Sequence, residues 1–237
     1  MLLCSLKRSV YVERKSSTNS FTNDNSWAIL SQQEKIIRSK IEKAGRPLEK
    51  WDLHIYRGIL TGYNDAFIIS TEKKDELIAA DPKSAEIIRP ILRGRDIKRY
   101  SYTFADLWLI ATFPSRHYNI DDFPAVKKHL LSYGIERLEQ TGRKRVINGE
   151  EIRARKKTNN KWFETQDSIN YWNDFFKQKI VYREISDAMD ACLVEPGFML
   201  NNKCYLITGG NCSEPRGFTA IQSRHFQQMQ PLMPRRH

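Results

Sequence analysis

The sequence predicts one folded domain that contains both helices and strands. Apolar residues make up 40% of the 237 residues, and the 26 aromatic residues (five Trp, ten Tyr, eleven Phe) favour a packed core over a disordered chain. Short apolar or alternating runs, typical of strands, lie between segments with helix-start and helix-stop signals. A chain of this length can bury one substantial core.

The first clear element is a helix that begins at Ser31. Glu34 lies three residues further on and completes a capping box. Apolar residues then recur at helical spacing until Gly45, which ends the helix.

Two strands follow, joined by a glycine-containing loop. Residues 51–57 alternate, with Leu53 and Ile55 on the apolar face, and residues 66–69 form a second apolar run. The loop between them, Gly58–Asn64, could hold a phosphate through its backbone N–H groups, but it lacks the Gly-Lys-Ser/Thr ending of a P-loop. Taken alone, it is better interpreted as a hairpin turn.

The remaining elements continue this mixture of helices and strands. A helix is predicted over residues 121–140, and Gly134 is expected to weaken it in its middle. Residues 26–209 form the predicted domain, between an irregular segment, 1–25, and a tail, 210–237, that is expected to be poorly ordered. The predicted elements are a helix over 71–80, a turn over 84–88, a buried strand over 108–111, a helix over 121–140, and strands over 179–182 and 204–207.

A first basic stretch, Arg89–Tyr100, carries five cations and one carboxylate. Pro90 should stop any preceding helix, and Gly94 allows a bend or a close approach to a ligand. Arg93 and Arg95 flank that glycine, and their planar forks of donors suit phosphate or guanine. A solvated basic turn is the alternative interpretation.

A second basic stretch, Arg143–Lys161, carries eight cations and two carboxylates. Together the two stretches hold ten of the eleven net positive charges in 31 residues, a concentration that predicts a polyanionic ligand. Trp162 and Phe163 follow directly; such rings stack on bases, although they are more often core residues.

The composition disfavours other classes of protein. No apolar run approaches the roughly 20 residues of a membrane helix, so we expect no membrane partner. The four cysteines form no C-x-x-C pair and the five histidines are scattered, which disfavours a zinc site and predicts reduced thiols in the cytoplasm.

Four separated runs occur in the order in which they occur in a known family. Over about residues 36–209 the chain resembles the TaqI-like C-terminal specificity domain of adenine-specific DNA methyltransferases, especially of fused type IIG restriction–modification enzymes. The matching runs are Tyr56–Phe67, Ile91–Tyr100, Tyr118–Leu130 and Lys156–Asp167, with a late strand at Lys179–Tyr182.

The resemblance implies an α+β fold, with a mixed sheet and packed helices, that recognises a target sequence in double-stranded DNA. It also implies a methyltransferase catalytic domain as partner, in the same chain or as a separate subunit, which flips and methylates adenine. On this basis we predict DNA contacts from three groups of residues. They are Arg57, Thr61, Gly62 and Asn64; Arg93, Gly94, Arg95, Lys98 and Arg99; and Arg143, Lys144, Arg145, Lys156, Lys157, Asn159, Asn160, Lys161 and Trp162.

The chain departs from such enzymes where their chemistry resides. It contains neither the Pro-Pro pair of the catalytic loop nor a Gly-x-Gly turn for S-adenosylmethionine, so we expect catalysis and that cofactor in a separate catalytic domain. The sequences from Glu72 and from Asp96 match only half of a nuclease motif; we predict that Glu72 lies on a helix surface and that Asp96 orients an arginine.

The interpretation is therefore a specificity fragment or subunit without catalytic residues of its own. Two alternatives stay open at this point. One is a catalytic fragment with an unusual site, and the other is an RNA-binding or protein-interaction module.

Overall fold

The computed structural model describes residues 30–45, 47, 50–147, 149–186 and 190–209. The predicted segment 1–25 and tail 210–237 lie outside these residues. Of the described residues, those from 53 onward belong to one compact unit and those up to 52 to another. The predicted limits of the domain, residues 26 and 209, stay predictions.

Helix α1 (Gln32–Ala44) begins and ends where the sequence predicts. The Ser31 hydroxyl accepts a hydrogen bond from the Glu34 amide (3.3 Å), and the Glu34 carboxylate accepts one from the Ser31 amide (2.8 Å). The Gly45 amide donates to the carbonyl of Ile41 (2.7 Å). These bonds satisfy backbone groups that a helix end leaves free, and the predicted capping box is confirmed.

The second unit contains four further helices and the strands of the described chain. The helices are α2 (Asn64–Phe67), α3 (Thr71–Ala80), α4 (Pro124–Leu131) and α5 (Ile135–Leu138). The strands are β1 (Leu53–Arg57), β2 (Ile68–Ser70), β3 (Ile88–Leu92), β4 (Ile97–Lys98), β5 (Ser101–Tyr102), β6 (Leu107–Ile110), β7 (Lys144–Ile147), β8 (Glu150–Arg153), β9 (Lys179–Arg183), β10 (Ala191–Val194), β11 (Met199–Leu200) and β12 (Cys204–Gly209).

These strands form two four-stranded sheets and two hairpins, so the predicted α+β fold is confirmed. The first sheet is antiparallel in the order β1-β12-β9-β10. The second has the order β11-β3-β6-β2 and is mixed, because β11 runs parallel to β3. The hairpins pair β4 with β5 and β7 with β8.

One hydrophobic core joins the two sheets. Val181 and Leu206 of the first sheet lie in the same buried cluster as Leu92 and Ile110 of the second, and Leu130 of α4 packs into it. Burying one apolar side chain of this size contributes about 1.5–3 kcal/mol to the free energy of folding. Because both sheets contribute to this core, their relative position is fixed, and so are the ends of the loops that connect them.

Two details of the predicted strands are wrong. Phe67, predicted in a strand, lies in the short helix α2, and the strand begins only at Ile68. In β1 the predicted inward face is reversed at its centre, since Ile55 is 44% exposed while Tyr56 packs against the core and stacks on Tyr171 with ring centroids 4.3 Å apart. A tyrosine ring buries more surface than isoleucine and keeps its hydroxyl polar, which a simple apolar pattern does not register.

The long helix predicted over residues 121–140 is interrupted. Residues 120–122 form a 3-10 turn, α4 ends at Leu131, and α5 begins after Gly134. Gly134 has a φ of +85°, which is outside the helical region. The glycine therefore separates two helices and does not merely weaken one continuous helix.

Lys179 is fully buried in β9, and its ammonium group donates to the carbonyls of Phe175 (2.8 Å) and Glu195 (2.8 Å). Burial lowers its pKa to about 8. Above about pH 8, Lys179 of the folded chain has lost its proton, whereas Lys179 of the unfolded chain still carries one. The free energy of unfolding should therefore rise with pH between about 8 and 10 by up to about 1.4 kcal/mol per pH unit, relative to Lys179→Met.

Urea denaturation of both proteins across this pH range measures the difference. The comparison removes the contribution of Cys192 and Cys204, whose raised pKa values act in both proteins. Parallel pH profiles of the two proteins would contradict the prediction.

Candidate nucleic-acid interface

A cleft of about 620 Å³ lies between the glycine loop (Gly58–Asn64), the β7–β8 hairpin and the segment after β8. Five cationic side chains line this basic cleft, against the single carboxylate of Glu151. The excess of positive charge suits an anionic ligand. The lining residues are Leu60, Gly62, Tyr63, Arg137, Gly142, Glu151, Ile152, Arg153, Ala154, Arg155, Lys156, Lys157 and Gln166.

The glycine loop crosses from one sheet to the other, since β1 and β2 belong to different sheets. The hairpin-turn interpretation is therefore wrong. Backbone bonds from Gln166 to Thr61 (3.2 Å) and from Asp167 to Leu60 (3.1 Å) hold the loop in place. The Asp167 carboxylate also accepts from the Leu60 amide (2.9 Å).

Within this loop the predicted residues have different roles. Thr61 is buried and its hydroxyl donates to the side-chain oxygen of Asn64 (2.7 Å), so it shapes the loop. Gly62 is exposed on the cleft wall with a φ of +82°, a conformation that suits glycine. Of these three residues, Gly62 is the one that lines the cleft.

Arg155 ties the walls of the cleft together. Its side chain is 4% exposed, and it donates to the carbonyls of Leu138 (2.8 Å), Thr61 (2.9 Å), Glu164 (2.7 Å) and Trp162 (2.6 Å). Burial lowers the pKa of the guanidinium to about 10, so it stays charged at neutral pH. Arg155 therefore has a structural role, although it lies within the second basic stretch of the sequence.

The second basic stretch contains both paired and unpaired cations. Lys144 pairs with Glu151 (2.7 Å) and Arg145 with Glu139 (3.2 Å). Of the described residues, four exposed cations beside or in the cleft have no ion-pair or hydrogen-bond partner for their side chains. They are Arg143, Arg153, Lys156 and Lys157.

The loop after these lysines uses most of its polar groups internally. The side-chain amide of Asn160 donates to the carbonyls of Thr165 (3.1 Å) and Gln166 (3.0 Å), whereas Asn159 is exposed. Phe163 is a core residue, 5% exposed, and Trp162 is half-buried against it with ring centroids 5.6 Å apart. The core interpretation of both rings is thus supported, and Asn159 keeps a free amide. Lys161 lies over the ring of Phe163.

The first basic stretch starts as a strand, β3, so the solvated-turn interpretation fails for Arg89–Leu92. Asp96 then binds Arg93 in two places: Nε donates to Oδ2 (3.0 Å) and Nη2 to Oδ1 (2.9 Å). The prediction that Asp96 orients an arginine is confirmed, and its hydrogen bonds raise the pKa of Arg93. The fork of Arg93 is consequently occupied.

Gly94 is buried, so the prediction that it lets the backbone approach DNA closely is wrong. A Cβ at this position would lie 3.0 Å from the Cβ of Lys203 and 3.1 Å from its carbonyl oxygen. The close approach is therefore to the segment before β12, and the Gly94 amide donates to the side chain of Asn201 (3.2 Å).

Beyond Gly94 the side chains are available to a ligand. Arg95, Lys98 and Arg99 are exposed, and the guanidinium of Arg99 lies over the ring of Tyr100. None of them lines the basic cleft, so the two basic stretches do not meet there. Arg57, also predicted to bind DNA, is exposed but pairs with Glu184 (3.1 Å).

Several cleft residues were missed by the sequence analysis: Tyr63, Arg137, Arg153 and Gln166. Arg153 lies inside the second basic stretch, three residues before Lys156, and this position was the available signal. Arg137 and Gln166 reach the cleft only through tertiary packing, which charge counting along the chain does not detect.

Two further kinds of group can be described, metal ligands and thiols. No group of His, Cys, Asp and Glu among the described residues could hold a metal ion. Burial raises the pKa of both Cys192 and Cys204 to about 12, so these described thiols are poor nucleophiles. Glu72 is exposed on α3, as predicted.

Comparison with known proteins adds three findings. The sequence profile of the TaqI-like C-terminal specificity domain matches residues 89–216. A solved structure of the type IIL restriction-modification enzyme MmeI in complex with DNA is similar over 86% of this chain, with 14% identity and a TM-score of 0.48; the match covers 23% of the MmeI chain. A comparison with curated proteins found no match. Among the described helices, none has the length and apolar character needed to cross a membrane.

Proposed function

The chain belongs to the TaqI-like C-terminal specificity domains, the DNA-recognition part of restriction–modification enzymes, and we propose that its basic cleft binds duplex DNA. The observation that carries this proposal is the set of four exposed, unpaired cations around that cleft. Cations held without acidic partners can neutralise phosphates without first breaking an ion pair.

The first basic stretch is proposed to add contacts outside the cleft. Arg95 has a free guanidinium fork, which suits the O6 and N7 atoms of guanine in the major groove. Lys98 and Arg99 would neutralise phosphate. Asn159, which is exposed and lies two residues after Lys157, is a second proposed base contact because amides pair with adenine.

The catalytic step is proposed to belong to a methyltransferase domain, in the same chain or as a separate subunit. That domain would bind S-adenosylmethionine and methylate adenine, while this domain selects the site. Since DNA and that cofactor are the proposed partners, we propose the cytoplasm as its location.

Binding of the full chain to duplex DNA should depend strongly on salt. Four neutralised phosphates give a slope of log K against log salt of about −3.5, and phosphate contacts from Lys98 and Arg99 bring it to about −5. The double variant Lys156→Ala, Lys157→Ala should make this slope shallower by about 2. Fluorescence anisotropy with a mixed-sequence duplex at several salt concentrations measures it.

Lys128→Ala is the matched control, because Lys128 is an exposed lysine on α4 and does not line the cleft. It should leave the slope unchanged. A flat salt response of the unaltered chain, or tighter binding to single-stranded RNA than to duplex DNA, would overturn the proposed function.

A further inference from the structure

The strands β7 (Lys144–Ile147) and β8 (Glu150–Arg153) form a two-stranded ribbon beside the basic cleft. Its register pairs Lys144 with Arg153 and Val146 with Glu151. Directly paired residues in a sheet point to the same face, so these four side chains share one face of the ribbon. The position of Gly149 at the tip is open, since a Cβ added there would meet nothing within 4 Å.

The opposite face of the ribbon is turned toward α5. Arg145 on that face pairs with Glu139, and Glu150 lies 3.8 Å from Arg137 of α5. Ile147 and Ile152, also on that face, are partly buried. The face of Lys144, Val146, Glu151 and Arg153 is therefore the solvent face, and all four residues are exposed.

Val146 is the apolar residue of this solvent face and is 72% exposed. A single exposed valine is ordinary on a protein surface. Its position gives it significance, because it lies on a ribbon that carries the unpaired cation Arg153 and adjoins Arg143.

The dimensions and charge of the ribbon fit one partner, duplex DNA. The major groove is about 12 Å wide and accepts a two-stranded ribbon, whereas the minor groove is about 6 Å wide. Four cations and two carboxylates between Arg143 and Arg153 leave the ribbon positive, which complements the phosphates on both sides of the groove. An apolar side chain on the inserted face contacts the methyl group of thymine.

We propose that the ribbon enters the major groove and that Val146 contacts a thymine methyl group, so that Val146 is a specificity-determining residue. This rests on the proposed function, because it requires that the chain binds duplex DNA. Phosphates beside the groove then lie against Arg143 and Arg153. The solvent face of the ribbon contacts the base pair, and the cleft residues Lys156 and Lys157 bind the phosphates and so fix the position of the DNA backbone.

Photocrosslinking tests the location of Val146. The full chain would carry p-benzoylphenylalanine in place of Val146, or, as a matched control, in place of Ile185. Ile185 is equally exposed, at 74%, and lies outside the ribbon. With duplexes that bind, we expect crosslinks to bases from position 146 and none from position 185.

A second measurement tests the contact itself. Sequences selected from a random duplex library by the unaltered chain and by Val146→Ala should differ by the loss of one thymine preference. Replacing that thymine by uracil, which lacks the methyl group, should weaken binding of the unaltered chain about threefold to tenfold and leave Val146→Ala unaffected.

The outcomes separate the two proposals. If the chain binds duplexes but position 146 gives no base crosslinks, or uracil substitution changes both proteins equally, the assignment of Val146 is wrong and the proposed function stands. If the unaltered chain binds no duplex at all, both are overturned.

Discussion

Replacing Arg155 with methionine should destabilise the second unit by about 3–5 kcal/mol, the largest effect that we expect from one substitution outside the apolar core. The substitution fills a similar volume but removes the donors that Arg155 supplies to the carbonyls of Leu138, Thr61, Glu164 and Trp162. A buried acceptor that loses its partner costs about 1–3 kcal/mol. Glu164 keeps a bond from Gln140 (3.1 Å) and Thr61 keeps one from the Gln166 amide (3.2 Å), which limits the loss at these two carbonyls.

Urea denaturation, with the slope m compared between variants, measures this effect. Arg153→Met is the matched control: it changes an exposed arginine two residues away and should alter stability by no more than about 0.5 kcal/mol. Arg155→Lys should be intermediate, since a lysine keeps the charge but not the fork of donors. Equal stability of the Arg155 and Arg153 variants would show that the four carbonyls do not depend on this side chain.

Arg155 also marks the limit of what the sequence could predict. The local signals were sufficient for α1, because a capping box and a terminal glycine involve residues within a few positions of one another. Arg155 lies among exposed cations in the sequence, and no pattern separates it from Arg153 or Lys156. Its burial depends on carbonyls up to 94 residues away, so only the tertiary structure distinguishes it.

The same reasoning applies to the first basic stretch. The pairing of Asp96 with an arginine could be predicted, because the two residues are near in sequence. The choice of Arg93 over Arg95 could not, since both are within reach of that carboxylate. The role of Gly94 was equally hidden, because its neighbour Lys203 is distant in the chain. The presence of an ion pair between Asp96 and an arginine was therefore predictable from the sequence. Which arginine forms it, and what Gly94 packs against, could be known only from the fold.

Because Asp96 binds Arg93 and leaves Arg95 free, the second large effect that we expect is on DNA binding by an Arg95 variant. In an enzyme reassembled with its catalytic domain, Arg95→Ala should weaken binding to the cognate site by about 1–3 kcal/mol and relax preference at one base pair. Arg95 is exposed and has a free fork, whereas that of Arg93 is held by Asp96. Competition binding with cognate and single-mismatch duplexes measures both changes.

Arg93→Ala and Lys98→Ala are the informative comparisons. Arg93→Ala leaves the carboxylate of Asp96, 5% exposed, without its cation, so its main effect should be a loss of folding stability rather than of base preference. Lys98→Ala should weaken all sequences alike and make the salt slope shallower by about one. If Arg95→Ala also weakens cognate and random DNA equally, Arg95 only neutralises phosphate. Base recognition is then expected from the ribbon beside the basic cleft and from Asn159, because these keep exposed side chains.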